Sequence, residues 1–225
     1  LYFKFLRTVF GLTFTVKVLK RRAKETVAQY KKYLAHAADS EMKRHMERLI
    51  EHESYHEREL IAQLKEDRVV FISNMVLGIN DGLVELSGAL VGFSFALQNQ
   101  LLIAAAGFIT GVSASLSMAS SAYMQARYEK NKDPKKAAIY TGAAYLIVVI
   151  LLIAPFFLFK EVFVSLAAMF GVVFLIINVL SLYGAVLLDR NFARQAVELF
   201  FTSIGVGVVA FIIGILFRLF SGLAL

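Results

Sequence analysis

The chain has no cysteine, no tryptophan and only two prolines in 225 residues. Without cysteine there is no disulfide, no thiolate metal site and no cysteine nucleophile. Charge is scarce too: 18% of residues are charged, against about 25% in an ordinary soluble domain. With 58% hydrophobic residues beside it, that shortage excludes the disordered, collagenous and low-complexity classes. No Gly-x-x-x-x-Gly-Lys run occurs, so a phosphate-binding loop and ATP coupling are not expected.

The shortage is uneven. Residues 1–68 carry 25 of the 41 charged side chains and all four histidines, whereas residues 69–225 carry 16. Sixteen charges cannot wet the surface of a soluble domain that long. The chain therefore reads as a polar N-terminal module followed by a membrane domain. Lys4 and Arg7 precede only a short apolar run without a small-residue cleavage site, so no cleavable signal peptide is read there. The formal net charge of +7 is spread over juxtamembrane positions, which fits a cytoplasmic membrane face rather than nucleic acid.

A membrane-spanning helix needs about 20 mostly apolar residues. Five stretches meet this, at 69–97, 101–126, 137–159, 162–188 and 197–217. The links between them are short, so neighbouring helices run antiparallel. The expected fold class is all-α: a five-span transmembrane bundle over residues 68–225, preceded by a cytoplasmic helical hairpin over residues 20–67. Residues 1–19 mix Phe and Leu with Lys4, Arg7 and Lys17, and read as an interfacial helix on the lipid surface. Arg127, Lys130, Lys132, Lys135 and Lys136 follow span two, and Arg190 and Arg194 follow span four. The opposite loops hold Lys160 alone as a positive charge. The N-terminus is thus expected in the cytoplasm and Leu225 outside, in the cell membrane.

Within the spans, two acidic residues sit deep: Asp81 and Glu85. A carboxylate in lipid must be paired, protonated or facing a cavity. The two are spaced i, i+4, so they share a helix face. Steps of four and three extend that face to Asn74, Gly78, Gly88 and Gly92. Span two carries an uncharged counterpart of Gly107, Gly111, Ala114, Met118, Ser121 and Gln125. Such stripes are either helix-packing seams or the lining of a pathway. Carboxylates, amide oxygens of Asn74 or Asn80 and the Met118 thioether form a mixed hard and soft donor set, which suits divalent metal better than sugar or peptide. Met118 is equally well placed as core filler.

Span one, GINDGLVELSGALVGFSFAL, and span two, ITGVSASLSMASSAYMQARYE, resemble the vacuolar iron transporter family, as does DPKKAAIYTGAAYL beyond them. The resemblance implies a homodimer that moves Fe²⁺ and Mn²⁺ out of the cytosol in exchange for protons. It also implies a pathway at the dimer interface, lined by the first span of each chain. The family's aspartate in Asn-Asp-Gly-Leu falls on Asp81, and its span-two methionine on Met118. A glutamate that some members carry eight residues before that methionine falls on Thr110; we read Glu85, which is outside the family's pattern, as supplying that carboxylate instead. Plant-like members hold a metal-collecting helical domain between spans two and three. The link at 127–136 is too short for one, which leaves the N-terminal module as its replacement.

That module reads as two helices, 20–38 and 41–65, with Asp39-Ser40 as turn and N-cap. The second helix contains Glu53-Ser54-Tyr55-His56. In di-iron carboxylate bundles, Glu-x-x-His pairs on inward faces supply ligands together with single glutamates from other helices. LIEHESYHEREL resembles the second-helix motif of rubrerythrin-like ferritin domains, which makes Glu53, His56 and, from the first helix, Glu25 the metal ligands it implies. One hairpin holds half of a four-helix bundle, so a shared site needs a second chain. The alternatives are a membrane-anchored ferritin-like protein that oxidises iron or reduces peroxide, and a structural membrane scaffold. Bound-metal count and ferroxidase assays separate the first from a transporter, and individually dispensable Asp81 and Glu85 would mark the second. Calorimetric titration of the full-length, detergent-solubilised protein tests metal binding by the hairpin itself. Glu53→Ala and His56→Ala should each lower metal affinity about tenfold or more. Unchanged stoichiometry and affinity in both would reduce the hairpin to a solvated charged face.

Overall fold

A computed structural model describes residues 71–97, 99–129, 132–187 and 191–220, together with Arg44 and Arg48. The chain divides into two compact units, and the one described here comprises Val70–Ala185 and Arg190–Leu225. The hairpin ligands Glu25, Glu53 and His56, and the interfacial stretch 1–19, lie outside the described residues.

The described residues form five long helices: α1 (Ile72–Leu97), α2 (Gln100–Arg127), α3 (Pro134–Leu158), α4 (Val162–Leu187) and α5 (Phe192–Phe220). Each is long and apolar enough to cross a membrane. An uninterrupted helix closes its backbone hydrogen bonds within itself, and lipid offers no others. Three helix starts are fixed by side chains. Asn99 Oδ1 accepts from the Leu102 amide at 3.1 Å at the start of α2. Asp133 Oδ1 accepts from Lys135 N at 2.9 Å at the start of α3, with Pro134 in the first turn. Asn191 Oδ1 accepts from Arg194 N at 3.1 Å before α5. The Asn191 cap brings α5 forward to Phe192, five residues ahead of the apolar run that begins at Val197. Glu198 therefore lies in the second turn of α5, where it accepts from Arg194 Nε at 2.8 Å.

Helix α3 is the most enclosed of the five and α5 the least. The core joins Leu83, Leu86 and Leu90 of α1, Ile103 of α2, Tyr145, Val149 and Leu152 of α3, and Met169 and Val173 of α4. Where the start of α2, the end of α3 and the start of α4 meet, Gln100 Nε2 donates to the Phe159 carbonyl at 2.6 Å and to Ser165 Oγ at 2.8 Å. The first donation satisfies one of the carbonyls that the end of α3 leaves open.

Glycine sets the closest approaches. A Cβ on Gly78 of α1 would collide with the Thr141 carbonyl of α3. One on Gly111 of α2 would come within 2.6 Å of Val149 of α3, and one on Gly107 within 2.6 Å of Leu90. The glycine ends of both sequence stripes are thus packing seams. Lipid tails are as apolar as leucine, so van der Waals contact through small residues is what holds such helices together.

α1 is not one uniform α-helix. Residues Gly82–Leu86 form a π-turn between α-helical Ile72–Asp81 and Ser87–Leu97. The extra residue in that turn shifts the downstream register by about 100°. Asn74 and Gly78 consequently face α3, whereas Gly88 and Gly92 meet Val206 and Ala210 of α5. The four-and-three stripe expected from the sequence therefore breaks after Glu85. Gly78→Ala should destabilise the protein by about 1–3 kcal/mol, because the blocking atom is backbone. Gly171→Ala, with nothing within 4 Å of its added Cβ, should be neutral or stabilising by about 0.5–1 kcal/mol. Unfolding midpoints in detergent check both signs.

Candidate transport pathway

Asp81 closes the first α-helical segment of α1, and Glu85 sits in the π-turn that follows. Both are therefore near the middle of a 26-residue span. Asp81 is half-buried and Glu85 is exposed on the surface of the single chain. The mid-depth pair thus opens outward rather than being buried in the five-helix core.

One partner reaches the pair from another helix. The Tyr145 hydroxyl of α3 donates to Glu85 Oε2 at 2.8 Å. Tyr145 is fully buried, at 0% exposure. Its ring lies over Gly82, where an added Cβ would stand 3.4 Å from Tyr145 Cγ and 3.3 Å from Val148 Cβ. The glycine of Asn-Asp-Gly-Leu therefore leaves the room that the ring occupies. Sequence reasoning passed over Tyr145; the available signal was a hydroxyl-bearing ring set in an otherwise apolar run, since a buried tyrosine usually finds a hydrogen-bond partner.

The amides divide. Asn74 is buried and its Nδ2 donates to Thr141 Oγ1 at 3.4 Å, a long bond across the α1–α3 seam. Its Oδ1 and the Oδ1 of half-buried Asn80 are both buried atoms that accept no hydrogen bond among the described residues. A buried acceptor without a donor is unfavourable by about 1–3 kcal/mol, and a cation would relieve it. Ser121 is exposed on α2, and Thr110 is half-buried there. Met118 is half-buried and packs against the apolar core. Its packing role is thereby visible, whatever else its sulfur does. Among the described residues no three His, Cys, Asp or Glu side chains gather around one point. The described residues thus present Glu85 and, in part, Asp81 at the surface of the single chain, with the orphaned amide oxygens buried, and they form no closed metal cage.

Five long apolar helices with acidic residues at mid-depth define an integral membrane protein of the polytopic α-helical class. The sequence model of the VIT family matches residues 72–132, which takes in α1, α2 and most of the loop beyond. The match covers roughly a quarter of the chain, and within it this protein is similar to that family. Neither the curated proteins nor the solved structures yield a match to the chain.

Met118→Leu nearly conserves volume, so stability should change by less than about 1.5 kcal/mol. The sulfur is lost, so discrimination of Fe²⁺ from Mg²⁺ should weaken in a flux assay. Unchanged discrimination would leave Met118 as core filler alone.

Proposed function

We propose that the chain is a proton-coupled exporter of divalent metal, Fe²⁺ and Mn²⁺, from the cytosol. It works as a homodimer in the cell membrane, with the N-terminus cytoplasmic and the C-terminus outside. The observation that carries this reading is the Asp81–Glu85 pair, presented at mid-span on the surface of one chain. A carboxylate facing lipid there is strongly disfavoured. A second copy of α1, bringing its own pair, turns the same surface into an acidic pathway. The match of the VIT family over α1 and α2 supports metal as the cargo. Asn80 and Ser121 line the route as neutral oxygen donors, with Asn74 set back in the α1–α3 seam, and Met118 adds the soft one.

Proton coupling follows from the chemistry of an emptied site. Carboxylates gathered in a low-dielectric span cannot all stay ionised once the metal leaves, and a proton is the other cation that neutralises them. Metal moving outward and protons moving inward would then alternate on the same oxygens. The hairpin, with Glu25, Glu53 and His56, acts as a cytoplasmic metal receiver.

Purified protein in liposomes tests the reading. Asp81→Asn and Glu85→Gln preserve shape and remove charge, and each should slow Fe²⁺ or Mn²⁺ flux about tenfold or more. An imposed pH gradient should drive metal in the opposite direction to protons. Parental rates in both variants would remove the pathway from α1. Flux indifferent to the gradient would make the protein a uniporter.

A further inference from the structure

We propose that Tyr145 is a positioning residue of the pathway: its hydroxyl holds the Glu85 carboxylate in the orientation that receives the metal. The inference rests on the pathway reading above and extends it to α3.

Three observations converge on it. The first is the bond itself, Tyr145 hydroxyl to Glu85 Oε2 at 2.8 Å. The second is how firmly the donor is held. Tyr145 has 0% exposure and lies within the apolar core with Val148, Val149 and Leu152. Gly82 gives its ring a seat against α1, so the hydroxyl cannot follow Glu85 if the carboxylate swings away. The third is the contrast with the acceptor, which is exposed and sits in a π-turn. A rigid donor thus reaches a mobile type of side chain at the point where α1 changes register.

The residue type matters as much as the place. A lysine or arginine in this position would orient Glu85 and also cancel its charge. No Lys, Arg or His lies in the interior of any of the five spans. A neutral phenol orients the carboxylate through one lone pair of Oε2 and leaves its negative charge for a divalent ion. Oε1 is left as the ligating oxygen, next to Asp81 one turn away. Fixing the side chain beforehand removes entropy that metal binding would otherwise have to remove.

The experiment is Mn²⁺ uptake by full-length protein in liposomes, with Mn²⁺ binding measured by calorimetry in detergent. The variants are Tyr145→Phe, Glu85→Ala, the double variant and Asp81→Asn. Tyr145→Phe should raise the KM for Mn²⁺ and weaken its affinity by about three- to tenfold, while the unfolding midpoint stays close to the parental value. In the Glu85→Ala background the same change should add little, because the hydroxyl acts through that carboxylate. A parental KM in Tyr145→Phe, or a loss of equal size without Glu85, would overturn the proposal. Infrared difference spectra of the parental protein, metal-loaded minus metal-free, give a readout that does not require the variant to fold. A tyrosine C–O band should shift on Mn²⁺ binding, and its absence would also overturn the proposal. Failure of the pathway itself looks different: Asp81→Asn and Glu85→Ala would then both bind and move Mn²⁺ as the parent does.

Discussion

The architecture depends on how closely α1 can approach α3. At Gly78 the two backbones meet with no room for a methyl group, the Thr141 carbonyl occupying the space. One turn further on, Gly82 admits the Tyr145 ring. That approach sets the α1–α3 distance, which in turn lets Asn74 reach Thr141 and Tyr145 reach Glu85. In water such a contact would be one among many. In lipid, apolar side chains gain little by turning from tails to one another, so close backbone packing carries more of the association. The glycines of the Asn-Asp-Gly-Leu region thus serve structure and site together.

The π-turn follows from α1 having two partners. Its first half packs on α3 and its second half on α5, through Gly88 and Val206, Gly92 and Ala210, and the Gly92 carbonyl beside Gly214. A uniform α-helix would keep one face toward one neighbour. One extra residue re-aims the second half, and the exchange falls at Gly82–Leu86, the segment that contains Glu85. π-turns have poorer hydrogen-bond geometry than α-helix and collect at functional sites. Here the loosened turn also carries the carboxylate that most needs to be presented outward.

The spans were legible because lipid imposes a crude rule, about 20 apolar residues, which the five helices obey. Their ends were less so. Asp133-Pro134 and Asn191 are capping signals, yet an apolar-run criterion starts α3 at Ala137 and α5 at Val197. The carboxylates stood out for their cost in lipid. The stripe beyond them misled, because alternating steps of four and three assume an unbroken α register that the π-turn interrupts. Sequence spacing on one helix also cannot reveal a cross-helix partner, which is why Tyr145 emerged only with the fold. The Glu-x-x-His reading of the hairpin is in another position: it is local to a segment outside the described residues, so the motif and its spacing are all that bear on it.

The distribution of exposure gives the remaining constraint. Lipid covers an exposed leucine or phenylalanine without penalty, so the bare outer faces of α4 and α5 need no partner. Glu85 cannot be treated the same way. It is exposed at mid-depth, and its hydrogen bond to Tyr145 occupies one oxygen while leaving the charge in place. Water in a cavity or another chain must meet it. The proposed homodimer satisfies this by symmetry, since a two-fold contact through α1 places the same acidic face on both sides. Each chain would then bring to the shared pathway a carboxylate pair held by its own α3. In that proposed dimer, four carboxylates without an intramembrane cation would be stable when filled by metal or protons, and unstable when empty. That instability would be the physical basis of the proposed exchange of one cation for the other.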